Sequence, residues 1–78
     1  MNGIKANVTI DIKVNARIYN LPDYATKKDY IVATVAEDGQ LWFYGAYDDT
    51  ESEMKAARCA LEERPGGRIM LKVDKEGN

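Results

Sequence analysis

Residues 30–61 read YIVATVAEDGQLWFYGAYDDTESEMKAARCAL, and the fold is decided there. Two apolar runs, Tyr30 to Ala36 and Gln40 to Tyr47, flank Asp38-Gly39. Asp-Gly between apolar runs marks a tight hairpin, because both central residues of a type I′ turn need positive φ. A two-residue loop of that kind pairs Ala36 with Leu41, Val35 with Trp42, Thr34 with Phe43 and Ala33 with Tyr44. Ile31, Ala33 and Val35 then share a face with Trp42, Tyr44 and Ala46, and the other face carries Val32, Thr34, Ala36, Leu41 and Phe43. Both faces are apolar. The hairpin is therefore expected to be covered on both sides, or to leave an apolar patch for a partner.

The hairpin runs directly into a helix signal. Thr50-Glu51-Ser52-Glu53 has the spacing of a capping box, with Thr50 as N-cap and Glu53 reaching back. Asp48, Asp49, Glu51 and Glu53 put negative charge at the positive end of the helix dipole. The helix is expected to run to about Arg64, before Pro65-Gly66-Gly67, and to bury Met54, Ala57, Ala60 and Leu61. Cys59 falls off that stripe. Arg68 to Val73 is a last strand, with Ile69, Leu71 and Val73 inward, and Asp74 to Asn78 a polar tail.

Upstream, every even position from Ile4 to Ile18 is apolar and the odd positions are mostly polar, the pattern of a half-buried antiparallel strand. Fifteen extended residues span about 50 Å, whereas a compact chain of this size has a radius of gyration of about 11–12 Å. The strand must bend between Asp11 and Ala16, or overhang and pair with a second chain to make a homodimer. Asn20 to Asp29 reads as a solvated loop with Tyr24 as its one large side chain. The expected fold is a single α+β domain over residues 1–78 in the order β-β-β-α-β. One helix covers one face of a mostly antiparallel four-stranded sheet, and a right-handed crossover links the last two strands.

At 78 residues there is little room for a core and a deep cleft together. The net charge of −2 hides a division: residues 1–28 carry +3, residues 29–53 carry −7 with no base, and residues 54–78 carry +2. An acidic middle suits a basic protein partner better than nucleic acid, which wants a contiguous positive face. A single cysteine forms no internal disulfide, residues 1–14 lack the apolar core of a signal peptide, and no run approaches the about 20 apolar residues of a membrane span. A cytoplasmic location is expected.

Catalytic groups are scarce. There is no histidine, Ser52 is the only serine, and Cys59 has Glu62 and Glu63 nearby rather than a base. Asp48, Asp49, Glu51 and Glu53 match no calcium-loop spacing. Gly66-Gly67 follows a helix, where a phosphate loop would precede one. No enzyme activity, metal or cofactor is expected. The aromatic row Trp42, Phe43, Tyr44, Tyr47 is the sharpest remaining feature, with one side destined for the core and the other for a protein contact.

The run Asp38 to Asp49, DGQLWFYGAYDD, followed by a short Ala-rich helix and a strand, resembles small phage and mobile-element proteins of Gram-positive bacteria. That group includes inhibitors of host defence such as anti-CRISPR proteins. The resemblance implies an inhibitor of a bacterial host protein, for instance a CRISPR effector nuclease, and transfers no residue role. The residues themselves favour a protein-binding module in which Glu37, Asp38, Trp42, Tyr44, Tyr47, Asp48, Asp49, Glu51 and Glu53 meet a basic partner. The alternatives are a nucleic-acid binder using Lys5, Lys13 and Arg17 on the polar face of the first strand, and a homo-oligomeric structural protein.

Overall fold

The computed structural model describes residues 9–12, as backbone, and residues 18–74. The elements are β1 (Thr9–Ile12), β2 (Ile18–Tyr19), a 3-10 helix (Asp23–Lys27), β3 (Tyr30–Val35), β4 (Leu41–Tyr47), α1 (Glu51–Glu63) and β5 (Arg68–Val73). The five strands form one sheet in the order β1-β5-β3-β4-β2. The α+β class matches the expectation, but the sheet is mixed. β3 runs antiparallel to both β4 and β5, while β1 pairs with β5 and β2 with β4 in parallel. The crossover through α1 joins two strands that are not neighbours, since β3 lies between β4 and β5.

Of the run expected to make one long antiparallel strand, the described residues form two short parallel strands at opposite edges of the sheet, about 19 Å apart at the usual strand spacing. An alternating pattern specifies a half-buried strand without choosing its partner or direction. Lys5, Lys13, Arg17 and the tail after Asp74 lie outside the described residues.

β3 is the centre. Ile31, Val32 and Ala33 have no exposed surface, and alternation points them to opposite faces. On one face Val32 and Met70 pack against Ala57, Ala60 and Leu61 of α1, with Met54, Tyr30 and Tyr47 at the margin. The alanines let the helix lie close to the strands. On the other face Ile31, Ala33, Leu71 and Val73 pack with Ile18 and Ala25 and, beside them, Leu21, Leu41, Phe43, Ala46 and Ile69. The segment read as a solvated loop is therefore part of the core: Ala25 is fully buried and Tyr24 sets its ring edge-on to Phe43 at 6.3 Å. Burial of each of Ile31, Leu61, Leu71 and Val32 contributes about 1.5–3 kcal/mol.

The hairpin differs from the expected one in its phase. The loop has three residues, Glu37, Asp38 and Gly39, between a paired Ala36 and Gln40, and only Gly39 has positive φ, at 89°. The Gly39 N–H donates to Ala36 O at 2.9 Å, a turn followed by a left-handed glycine. Val35, Thr34 and Ala33 consequently face Leu41, Trp42 and Phe43, one residue off the expected pairing. A bulge at Tyr44-Gly45 then restores the expected register, so that Val32, Ile31 and Tyr30 face Gly45, Ala46 and Tyr47. Trp42 and Tyr44 therefore stand on the face opposite Ala33 and Phe43.

α1 starts as its capping box predicts. Thr50 Oγ1 accepts from the Glu53 N–H at 3.3 Å, but Glu53 Oε1 reaches past Thr50 to accept from the Asp48 N–H at 3.1 Å. Gly45 is needed where the bulge passes under the Tyr47 ring, because a Cβ there would sit 2.6 Å from the Tyr47 hydroxyl oxygen. Gly45→Ala is expected to lower stability by about 1–3 kcal/mol, read as a reduced urea midpoint with an unchanged slope.

Candidate functional site

Trp42 faces Thr34 on β3 and Tyr19 on β2, and Thr34 in turn faces Arg68 on β5. Pairing thus lays Arg68, Thr34, Trp42 and Tyr19 in a row across four strands, on the side of the sheet that carries α1. The helix covers the Val32 and Met70 end of this face, and its last turn reaches the row only at Arg68. Beyond it Tyr19, Trp42 and Tyr44 remain 48 %, 41 % and 43 % exposed, too much for core side chains. Tyr19 and Trp42 stack on each other with centroids 5.0 Å apart. The extra residue of the bulge puts Tyr44 beneath Arg68, whose guanidinium carbon lies 3.7 Å from the ring centroid.

Arg68 closes one end of the row. One guanidinium nitrogen, Nη1, donates to Ala60 O at 2.8 Å and to Glu63 Oε1 at 3.1 Å, and the Tyr44 hydroxyl reaches the same carboxylate oxygen at 3.4 Å. The Arg68 side chain is 11 % exposed, and its buried Nε has no partner. This cation satisfies a helix-end carbonyl, pairs with a carboxylate and covers an aromatic face at once.

The acidic residues do not form one surface. Glu37 and Asp38 sit exposed at the hairpin tip, where Asp38 Oδ1 caps the Gln40 N–H at 3.1 Å. Asp48, Asp49, Glu51 and Glu53 lie at the other end of β4, about 20 Å away by strand rise. Several of this second group serve the fold. Asp48 pairs with Lys28 at 3.2 Å, Glu53 holds the Asp48 N–H, and the Asp49 N–H donates to Asp29. Asp49 and Glu51 have exposed side chains. Tyr47, expected at the contact surface, packs at the margin of the helix-side core instead. Of the residues expected to meet a partner, the structure sets Trp42 and Tyr44 on one face and leaves Glu37 and Asp38 exposed at the hairpin tip beyond them. Tyr19, Thr34 and Arg68 join them without having been expected, because cross-strand pairing alone assembles the row.

No set of three or more His, Cys, Asp or Glu side chains among the described residues could hold a metal ion. No helix there is long and apolar enough to cross a membrane. Cys59 is an exposed free thiol. Comparison with protein-family models, curated proteins and solved structures returns no match.

Two groups tie the site's foundation to alkaline pH. Burial raises the Tyr47 hydroxyl above its ordinary 10.0. The hydrogen bond and charge of Asp48 raise Lys28 above its ordinary 10.5. A group whose pKa is higher in the folded chain stabilises it below the unfolded value and loses that contribution as pH rises through the folded one. The urea midpoint should therefore fall above about pH 10, and fall less steeply in Tyr47→Phe.

Arg68→Lys keeps the charge but cannot reproduce the planar contact with Tyr44 together with both hydrogen bonds. It is expected to cost about 1–2 kcal/mol in denaturant titration and to loosen the end of α1, seen as faster amide exchange at Glu62 and Glu63.

Proposed function

We propose that this chain is a small non-enzymatic protein-binding module that meets a basic partner with the surface around Tyr19, Trp42 and Tyr44. The observation that carries this reading is the exposure of those three rings, at 48 %, 41 % and 43 %, on sheet surface the helix leaves uncovered. Tyrosine and tryptophan offer large contact area at small entropic cost, and they dominate the energetic centres of protein interfaces. The charge around them favours a basic partner. Glu37 and Asp38 flank the patch at the hairpin tip, and residues 29–53 contain no base. The more distant Asp49 and Glu51 add to a negative field that speeds encounter with such a surface. The narrower reading, a phage- or mobile-element-encoded inhibitor of a bacterial host protein such as a CRISPR effector nuclease, is supported by the resemblance of residues 38–49 and by the basic surfaces of nucleic-acid enzymes.

The test is capture from bacterial lysate on immobilised wild-type chain, Trp42→Ala and Glu37→Lys, each first checked for native circular dichroism. The expected result is one or a few basic proteins held by wild type and reduced at least tenfold on Trp42→Ala, as for an interface hot spot, with a smaller loss on Glu37→Lys. Equal retention by all three chains would remove the proposal.

A further inference from the structure

The protein's own use of Arg68 indicates what kind of group the rest of this face receives. That guanidinium is held by an aromatic ring at 3.7 Å and a carboxylate oxygen at 3.1 Å. An aromatic ring in the same row and carboxylates at the hairpin tip offer the same two chemistries. Trp42 has Tyr19 stacked on one side, while on the other its cross-strand neighbour is Thr34, too short to cover an indole. Two residues past the Val35–Leu41 pair, the hairpin tip presents Glu37 and Asp38. Among the described residues the Glu37 side chain has no partner, and no cation lies over Trp42.

We infer that the step over Thr34, bounded by Trp42 on one side and by Tyr44 with Arg68 on the other, docks an arginine side chain of the partner. The inference rests on the protein-binding reading and specifies its chemistry. Arginine fits better than lysine for a geometric reason. A planar guanidinium can lie flat on the indole while its edge donates towards a carboxylate, and it sheds water more readily than an ammonium. Its aliphatic stem would lie along Thr34, covering apolar surface that a compact point charge leaves wet. The charge of Arg68 is balanced locally by Glu63, so the step does not repel a second cation as a bare arginine would. A second copy of the chain suits the face less well, since pairing two such patches brings two acidic hairpin tips into one interface.

Trp42 is the only tryptophan, so intrinsic fluorescence reports on this position directly. The experiment titrates the intact chain with blocked glycine-spaced peptides carrying two arginines, two lysines or two citrullines, at low and high salt. The expected result is a saturable change in Trp42 emission with the arginine peptide, about threefold weaker or more with lysine and absent with citrulline, the neutral isostere. Added salt and Glu37→Gln should each weaken it. Tyr19→Ala, which keeps the reporter, should weaken it by about three- to fivefold without changing the far-ultraviolet circular dichroism.

Equal responses to arginine and citrulline would overturn the inference, as would no response to any peptide. So would an emission change that tracks protein concentration alone, which assigns the face to a second copy, or a stronger response to oligothymidylate, which assigns it to stacked bases. If lysate capture depends on Trp42 while the arginine peptide is silent, the protein-binding reading stands and the arginine assignment falls. If the peptide binds but no captured protein depends on Trp42, the arginine pocket stands and the partner reading falls.

Discussion

Ile31, Val32 and Ala33 sit in succession on the central strand with no exposed surface, pointing alternately to the two faces of the sheet. A strand buried on both sides needs two covers, and a chain of 78 residues has few elements to spend on them. One is α1, brought close by Ala57 and Ala60. The other is β2 with the segment that follows it, where Ile18, Leu21 and Ala25 close the opposite face. With both covers committed to β3 and β5, the outer end of β4 on the helix side is left bare, and the aromatic row stands there.

The placement of that row depends on two one-residue irregularities that cancel. The three-residue loop moves the hairpin out of phase by one, which turns Trp42 from the Ala33 face to the helix side. The Tyr44-Gly45 bulge returns the base of the hairpin to phase, so that Tyr47 and Ala46 still meet Tyr30 and Ile31. Without the loop shift Trp42 would face the core side of β3. Without the bulge the base of the hairpin would present its polar and apolar residues to the wrong layers.

The elements themselves were legible. β3, β4, α1 and β5 follow from turn residues, capping residues and periodicity, and their boundaries agree within a residue or so. The phase of the hairpin was not, because Asp38-Gly39 suits both a two-residue loop with two left-handed positions and a three-residue loop with one. That choice is made by the packing of Leu41 and Phe43 against Ala33, which no local propensity contains. The direction and partners of the first strand were illegible for a similar reason, since alternation encodes a face but no neighbour. At the site, Trp42 and Tyr44 stood out as aromatics. Arg68 looked like an ordinary strand cation, and its role appears only once β5 lies beside β3 and the last turn of α1 lies above it.

Among the described residues β2 makes the shortest attachment in the sheet: two residues on one edge of β4, followed by Asn20 in the left-handed region at φ 62°. Half of the exposed aromatic stack rides on it. Short edge pairings open at low free-energy cost, and when β2 lifts away, Tyr19 leaves Trp42. Any molecule that touches both rings binds only the closed arrangement and by mass action holds the edge strand down. Occupancy of the face and order of the sheet edge are therefore thermodynamically linked. Ile18, which carries β2 into the core beneath, therefore helps to set how firmly Tyr19 is held against Trp42.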